Sequence, residues 1–355
     1  MFVVDAHEDI AYNAIRFGRD YRHSVAQTRQ REANTDHPNG IATVGLPDSL
    51  LGRVALVFAT LFVMPESASS MLPGAPTYKT PQEAYRLAGQ QLDYYQRIAD
   101  ETDKIRWVRT QAELNDVLTT WEPGTEMADH VQGLVLLMEN ADPIIEPKQF
   151  EEWYERGVRI VGPAWSGTRY CGGTGAPGPL TALGRELLEV MASFNAILDL
   201  SHMAEESFLE AVDRYEGVLI ASHSNPRRFR NTDRHLSDDM IRRLVERDGV
   251  MGIVIYNNFL SDDWRKGNPR SDVPFSVVLD AIDTVCQISG SAAHVGIGTD
   301  FDGGFGMENI PEGMNSITDL WWIGDGLRSR GYSEADIEAI LGGNMLRKLR
   351  QSLPA

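Results

Sequence analysis

Short apolar runs rich in Val, Ile and Leu recur along this chain, separated by longer segments that carry helix start signals. Continuous runs of this kind are what parallel strands buried on both faces look like. They fall at Phe2 to Asp5, Val54 to Phe62, Gly133 to Met138, Val158 to Gly162, Ala196 to Leu200, Val218 to Ala221, Val250 to Tyr256 and His294 to Gly298. Between them, Thr80-Pro81-Gln82-Glu83 forms a capping box with Pro at the first helical position, and Leu92 to Ile98 continues that helix. Further helices are expected at Leu183 to Phe194, Ala204 to Tyr215, Asp238 to Val245 behind the cap Ser237, Phe275 to Ile288, and from Ser333 toward Leu349.

Eight strands alternating with helices predict an α/β fold, a closed (β/α)8 TIM barrel made by residues 1–355 as one domain. The right-handed crossover rule leaves few other ways to bury so many parallel strands. An open doubly wound sheet is the competing architecture, but no G-x-G-x-x-G follows the first strand, which weakens its dinucleotide-binding version. Two polar connections, Arg19 to Gly40 and the Gly- and Pro-rich Ser166 to Pro179, are expected as loops over the barrel mouth.

Charge narrows the partners. Lys plus Arg total 33 against 51 Asp plus Glu, a net charge of −18 that repels nucleic acid and anionic membrane. Cys171 and Cys286 stand far apart and form no C-x-x-C pair, so neither a disulfide framework nor a cysteine zinc site is indicated. No apolar run reaches transmembrane length and no secretory pattern opens the chain. A cytoplasmic protein acting on a small molecule is expected.

In such barrels chemistry sits at the C-terminal ends of the strands. Strand one ends in His7 and Asp9, whose side chains point the same way because they lie two apart in extended chain. Strand three ends in Glu139 and Asn140, five in His202, six in His223, seven in Tyr256 and Asn257, and eight in Asp300 and Asp302. One strand-end histidine is ordinarily a polar residue under a loop. Three His, an Asp and a Glu on one face instead supply nitrogen and oxygen ligands suited to zinc or a similar divalent ion. Five ligands exceed what one tetrahedral catalytic ion needs, so two ions sharing a carboxylate are the better count. His23, His37 and His130 lie in polar stretches and are expected to be solvated, and His294 opens strand eight at the far end of the barrel.

The segments Val4-Asp5-Ala6-His7-Glu8-Asp9, Glu139, Ile197-Leu198-Asp199-Leu200-Ser201-His202, Ala221-Ser222-His223-Ser224-Asn225, Arg234, Tyr256-Asn257-Asn258, Gly298-Thr299-Asp300-Phe301-Asp302-Gly303 and Gly342-Gly343-Asn344 together resemble the renal, or membrane, dipeptidase family of zinc metallopeptidases. The resemblance implies a (β/α)8 barrel of the amidohydrolase-like kind with two zinc ions. It makes His7 and Asp9 ligands of one, His202 and His223 of the other, and Glu139 the bridge. It implies a metal-bridging hydroxide as nucleophile, Asp300 as the acidic residue that handles the proton, and Arg234 with Tyr256 as the grip on a substrate carboxylate, Asn257 standing beside them. A homodimer is common in the family, though no sequence feature here demands one.

One position departs from the pattern. Where the family usually has a carbonyl-contacting His after the fourth strand, this chain reads Gly162-Pro163-Ala164-Trp165-Ser166-Gly167-Thr168-Arg169-Tyr170. Trp165 falls nearest that place, either as an indole donor to an oxyanion or as a pocket wall, and Arg169 or Tyr170 offers a donor from the same loop. For Arg234 the competing reading is a surface ion pair with Asp233 or Asp238.

The expected function is a binuclear metallo-dipeptidase. The alternatives are a metal-dependent amidohydrolase acting on N-acyl amino acids or other carboxylate-bearing amides, and a metal-binding barrel that has lost catalysis. A deaminase-type barrel would call for H-x-H on the first strand, where Asp9 stands instead.

Overall fold

Parallel pairing closes the sheet on itself. The computed structural model describes residues 1–355, and its barrel strands are β1 (Val3–Glu8), β2 (Val54–Phe62), β3 (Gln132–Glu139), β4 (Val158–Gly162), β5 (Ile197–Asp199), β6 (Val218–Ser224), β7 (Val250–Ile253) and β8 (Val295–Ile297). Each pairs with the next in sequence, and β8 returns to β1 with Ile297 opposite Asp5. A short extra strand, Ile105–Trp107, pairs with the start of β3.

The barrel interior is filled by Val4, Leu56, Phe58, Val135, Leu137 and Ile160, while Met345 and Leu349 of the C-terminal helix join the same cluster. A second, larger apolar layer lies between the strands and the surrounding helices. A barrel packed this way is a plug, so the room for chemistry is at the strand ends. No helix is long and apolar enough to cross a membrane.

Several boundaries differ from those expected, each for a local reason. β3 and β6 extend through Glu139 and His223, so two candidate ligands sit on the ladder itself. β7 stops at Ile253 because the next amides bond elsewhere: Val254 N–H donates to Asn225 Oδ1 (2.8 Å) and Ile255 N–H to the Thr299 carbonyl (3.3 Å).

The connection from Arg19 to Gly40 is not all loop. It holds a helix, Val25–Glu32, started by a capping box between Ser24 and Gln27. Ser166 to Pro179 contains most of a hairpin, Cys171–Gly173 against Ala176–Leu180. The last helix breaks into Glu334–Glu338, a π turn at Ala339–Gly343, and Asn344–Ser352. At that turn Gly342 packs against β1, where an added Cβ would lie 3.0 Å from the Phe2 carbonyl oxygen.

Candidate metal centre and substrate pocket

Five side chains converge at the mouth, from the ends of β1, β3 and β6 and from the turn after β5. Glu139 Oε1 lies 3.1 Å from His202 Nε2 and 3.2 Å from His223 Nε2. Its other oxygen is 3.7 Å from His7 Nε2, which is also 4.0 Å from Asp9 Oδ2 and 3.9 Å from Asp300 Oδ1. His7 thus joins two groups of potential ligands, one with Glu139 and His223 and one with Asp9 and Asp300. Its ring stacks on that of His223 at 3.6 Å.

The remaining ring nitrogens are engaged behind the cluster. His223 Nδ1 meets Ser222 Oγ at 2.7 Å, and Ser222 in turn donates to Asp199 Oδ2 at 2.5 Å. His202 Nδ1 meets Thr174 Oγ1 at 3.0 Å, and Thr60 Oγ1 is 3.5 Å from His7 Nδ1. Such partners fix tautomer and ring orientation and leave Nε2 facing inward.

Asp5 does for the seam between β8 and β1 what Asp199 does between β5 and β6. It accepts from Thr299 N–H (2.8 Å), Thr299 Oγ1 (2.6 Å) and His7 N–H (3.3 Å). Asp199 accepts from Ser201 N–H (3.0 Å) and Ser222 N–H (2.8 Å). Sequence reading missed both buried aspartates. The signal was there, in an Asp shortly before two of the three strand-end histidines: Asp5 before His7 and Asp199 before His202.

The electrostatics favour a cation. Burial, together with the charges of Asp9 and Asp300, pushes the Glu139 carboxyl well above its ordinary range, and burial pushes Asp9 up to about 7. Burial also lowers His7 to about 3 and holds His202 and His223 well below the usual imidazole value. His7 Nε2, Asp9 Oδ1 and Glu139 Oε1 are buried without a hydrogen-bond partner. Crowded carboxylates and imidazole nitrogens that converge in this way fit a divalent ion by the chemistry of the donor set.

Backbone conformation is unusual where the side chains are aimed. Asn140, His202, Asp300 and Asp302 all take positive φ, from 58° to 78°. Left-handed non-glycine residues cost about 1–3 kcal/mol each and cluster where a site over-determines them. Asp302 is not in the cluster. It accepts from Thr43 N–H (2.8 Å) and Thr43 Oγ1 (2.7 Å) and lies 3.3 Å from Arg19, tying the mouth loops together.

Arg234 is buried and forms no ion pair. It donates to the His223 carbonyl (2.7 Å) and Ser224 Oγ (3.3 Å) and lies over the Phe259 ring. The surface-pair alternative is therefore wrong: Asp238 is taken by Arg228 and Arg242, and Asp233 accepts from Gly175 N–H. Tyr256 is half-buried and stacked on Phe305 at 4.2 Å. Asn257 is fully buried, with its amide donating to the Ile310 carbonyl (3.2 Å) and its Oδ1 unpartnered.

Trp165 packs in an apolar cluster with Tyr12, Phe62, Met64 and Ala68, and its ring lies 6.0 Å from that of His202. Arg169 and Tyr170 do not serve as oxyanion donors. Arg169 is held by Asp142 and the carbonyls of Ile144 and Ile145, and Tyr170 donates to the Ile144 carbonyl.

His130, expected in solvent, is buried and stacked on Trp121. His37 is half-buried beside Arg19 and Glu32. His235, in a stretch crowded with charge, is fully buried between Thr232 and Phe259.

Comparison with known proteins identifies the family. The family model described as membrane dipeptidase (peptidase family M19) matches residues 1–353. A Klebsiella pneumoniae protein described as uncharacterized, from the pqqA 5′ region, is 31% identical over 214 residues, covering 58% of this chain and 76% of that protein. An uncharacterized dipeptidase of Schizosaccharomyces pombe is 24% identical over 363 residues, covering 97% and 79%. Among solved structures, dipeptidase AC, a metallo peptidase of family M19, has a TM-score of 0.80 at 24% identity and covers 100% of this chain and 99% of its own. A Rhodobacter sphaeroides metallo peptidase liganded with a phosphinate mimic of L-Ala-D-Ala also has a TM-score of 0.80, at 23% identity, with 99% of each chain covered. These two structures share the barrel fold.

Proposed function

The chain belongs to the membrane dipeptidase family, peptidase family M19, and on that premise we propose that it is a binuclear dipeptidase acting on small amides that end in a free carboxylate. The observation that carries this reading is a cluster of five convergent ligand side chains beside a buried guanidinium that forms no ion pair. His7 and Asp9 would hold one ion, His202 and His223 the other, and Glu139 both. When bound, two divalent ions, zinc by the family pattern, supply Lewis acidity and a water-derived nucleophile at neutral pH.

The chain's own groups account for the rest. Arg234 presents a planar fork that reads a carboxylate through two parallel hydrogen bonds, and Tyr256 adds a hydroxyl on the same side. Holding the carboxylate fixes the amide against the cluster, which turns an encounter into a positioned reaction. Asp300, raised well above its ordinary range by burial and by the charge of Asp9, is suited to carry a proton and deliver it to the leaving amine nitrogen. The buried, unpaired Cys171 and Cys286 support a reducing, cytoplasmic location.

The apolar setting of Trp165 favours a second reading on the same centre, hydrolysis of N-acyl amino acids. One panel separates the two. Metal-loaded protein is assayed on dipeptides, including those with a D-residue at the C-terminal position, and on matched N-acyl amino acids. The dipeptidase reading expects dipeptide turnover with two ions per chain, lost in Glu139→Gln. Asp300→Asn is expected to abolish turnover with metal content unchanged, which a barrel without catalysis would not show. Hydrolysis of the N-acyl compounds alone would replace the dipeptidase reading with the second.

A further inference from the structure

Arg234 follows β6 and Tyr256 follows β7, whereas Phe62 ends β2 and Trp165 follows β4. In a closed ring of eight strands paired in sequence order, β2 lies diametrically across from β6. Phe62 is in register with Glu139, and register partners in neighbouring parallel strands point to the same face, so Phe62 is directed to the mouth as Glu139 is. Gly162, the residue of β4 in register with Glu139, brings no side chain of its own.

Three rings form a continuous edge-to-face ladder on this side. Trp165 meets Phe62 at 5.1 Å and 67°, and Phe62 meets Tyr12 at 5.2 Å and 81°. Trp165 lies beside the His202 ring, and Tyr12 stands in the first turn of the helix Ile10–Phe17 that follows Asp9, so both ends of the ladder border the cluster. Charged partners are spoken for. Asp142 is taken by Tyr78 and Arg169, and Arg16 lies against the Tyr12 and Phe17 rings.

We propose that Trp165, with Phe62 and Tyr12, is the wall that receives the side chain on the acyl side of the scissile amide, and that it selects apolar over small or basic residues there. The inference rests on the dipeptidase reading. A substrate whose carboxylate is gripped at Arg234, with its amide at the cluster, extends its acyl side across the mouth toward β2 and β4. An aromatic face there rewards apolar area and offers a basic side chain no partner.

The test compares Leu-Ala and Phe-Ala with Gly-Ala and Lys-Ala in zinc-loaded wild type, Trp165→Ala and Trp165→Phe, with melting curves and metal content for each. The wild type is expected to favour the apolar pair in kcat/KM by about tenfold or more, as differences of a few methylenes allow. Trp165→Ala is expected to lose most of that preference, chiefly through KM. Trp165→Phe keeps it, and the ranking of C-terminal residues does not move.

An unchanged ratio in both variants overturns the proposal. So does faster turnover of Phe-Ala by Trp165→Ala, which would make Trp165 a stop rather than a wall. Calorimetric binding of Leu-Ala and Gly-Ala to Asp300→Asn protein, with and without Trp165→Ala, reads the preference independently of turnover. A Trp165-dependent preference without wild-type hydrolysis keeps the wall and overturns the dipeptidase reading, and equal binding of the two dipeptides overturns the wall.

Discussion

The Nε2 atoms of His202 and His223 face each other across 3.1 Å, with Glu139 Oε1 within 3.2 Å of both. Ser222 Oγ donates to Asp199 and so accepts from His223 Nδ1, which puts the proton of the neutral ring on the side away from His202. Two nitrogen lone pairs and a carboxylate oxygen then share a space that repels them unless a cation fills it. The pair of histidines is a statement about charge as much as about position.

Ser222→Ala tests that statement from behind the site. It removes the Nδ1 partner of His223 and the hydroxyl donor to Asp199 while replacing none of the five proposed ligands. Loss of such an outer partner is expected to weaken metal binding about 10–100-fold. Zinc affinity measured against a competing chelator reads it. An affinity equal to wild type would mean that Ser222 does not orient the ring.

Arg234→Met separates substrate recognition from stability. Arg234 is buried and forms no direct ion pair, and the charges of Asp300 and Glu139 offset its burial only in part, so its removal from metal-loaded protein is expected to change the melting temperature little. Charge-assisted hydrogen bonds to a substrate carboxylate contribute about 1.5–3 kcal/mol, so kcat/KM is expected to fall by roughly one to two orders of magnitude, mostly through KM. A large loss of stability with kcat/KM intact would assign Arg234 to the scaffold instead.

The barrel was legible because strands buried on both faces are written as unbroken apolar runs, and the candidate ligands because they interrupt those runs at their ends. The helix Val25–Glu32 escaped the same reading since it buries only Val25 and Thr28 and so carries no apolar stripe, and its signal was the Ser24 to Gln27 capping box alone. The hairpin after β4 looked like loop because glycine makes it possible. A Cβ on Gly172 would come within 2.4 Å of the Gly178 backbone. Arg234 was ambiguous for a different reason. Its neighbourhood, from Arg227 to Asp239, is dense with charge, and which guanidinium turns inward is settled by tertiary packing.

His235 predicts an acid limb of the stability curve. It is fully buried and neutral, with Nε2–H donating to the Phe259 carbonyl (3.1 Å), and burial together with the Arg234 charge lowers its pKa to about 3. Between about pH 6.5 and 3 the unfolded chain therefore binds a proton that the folded chain does not, so stability falls as pH falls, by up to about 1.4 kcal/mol per unit. His235→Gln keeps a donor and removes the titration. In metal-free protein unfolded with urea, the advantage of wild type over His235→Gln is expected to shrink by roughly 2 kcal/mol from pH 7.5 to 4.5. His7, His202 and His223 shift the same way but are present in both proteins, so they cancel. Parallel pH profiles would remove His235 from the account.

Gly303→Ala probes how tightly Asp300 is aimed. The turn runs through Asp300 and Asp302, both at positive φ, and is closed by Gly303 N–H donating to the Asp300 carbonyl at 2.9 Å. A Cβ on Gly303 would lie 2.0 Å from Asp300 Oδ1 and 2.8 Å from the Asp300 carbonyl oxygen, so the carboxylate has to move. Displacement of a positioned group by about 1 Å is enough to lower turnover about 10²-fold. The proposed ligands His7, Asp9, Glu139, His202 and His223 are not in that turn, so two ions are expected to remain bound while kcat falls. A proton carrier that tolerates displacement would show unchanged kcat in Gly303→Ala, and that result would move the proton-transfer role away from Asp300. If metal is lost together with turnover, Asp300 is instead acting as a sixth ligand, a role its 3.9 Å approach to His7 Nε2 and its grouping with Asp9 make specific enough to test by metal content alone.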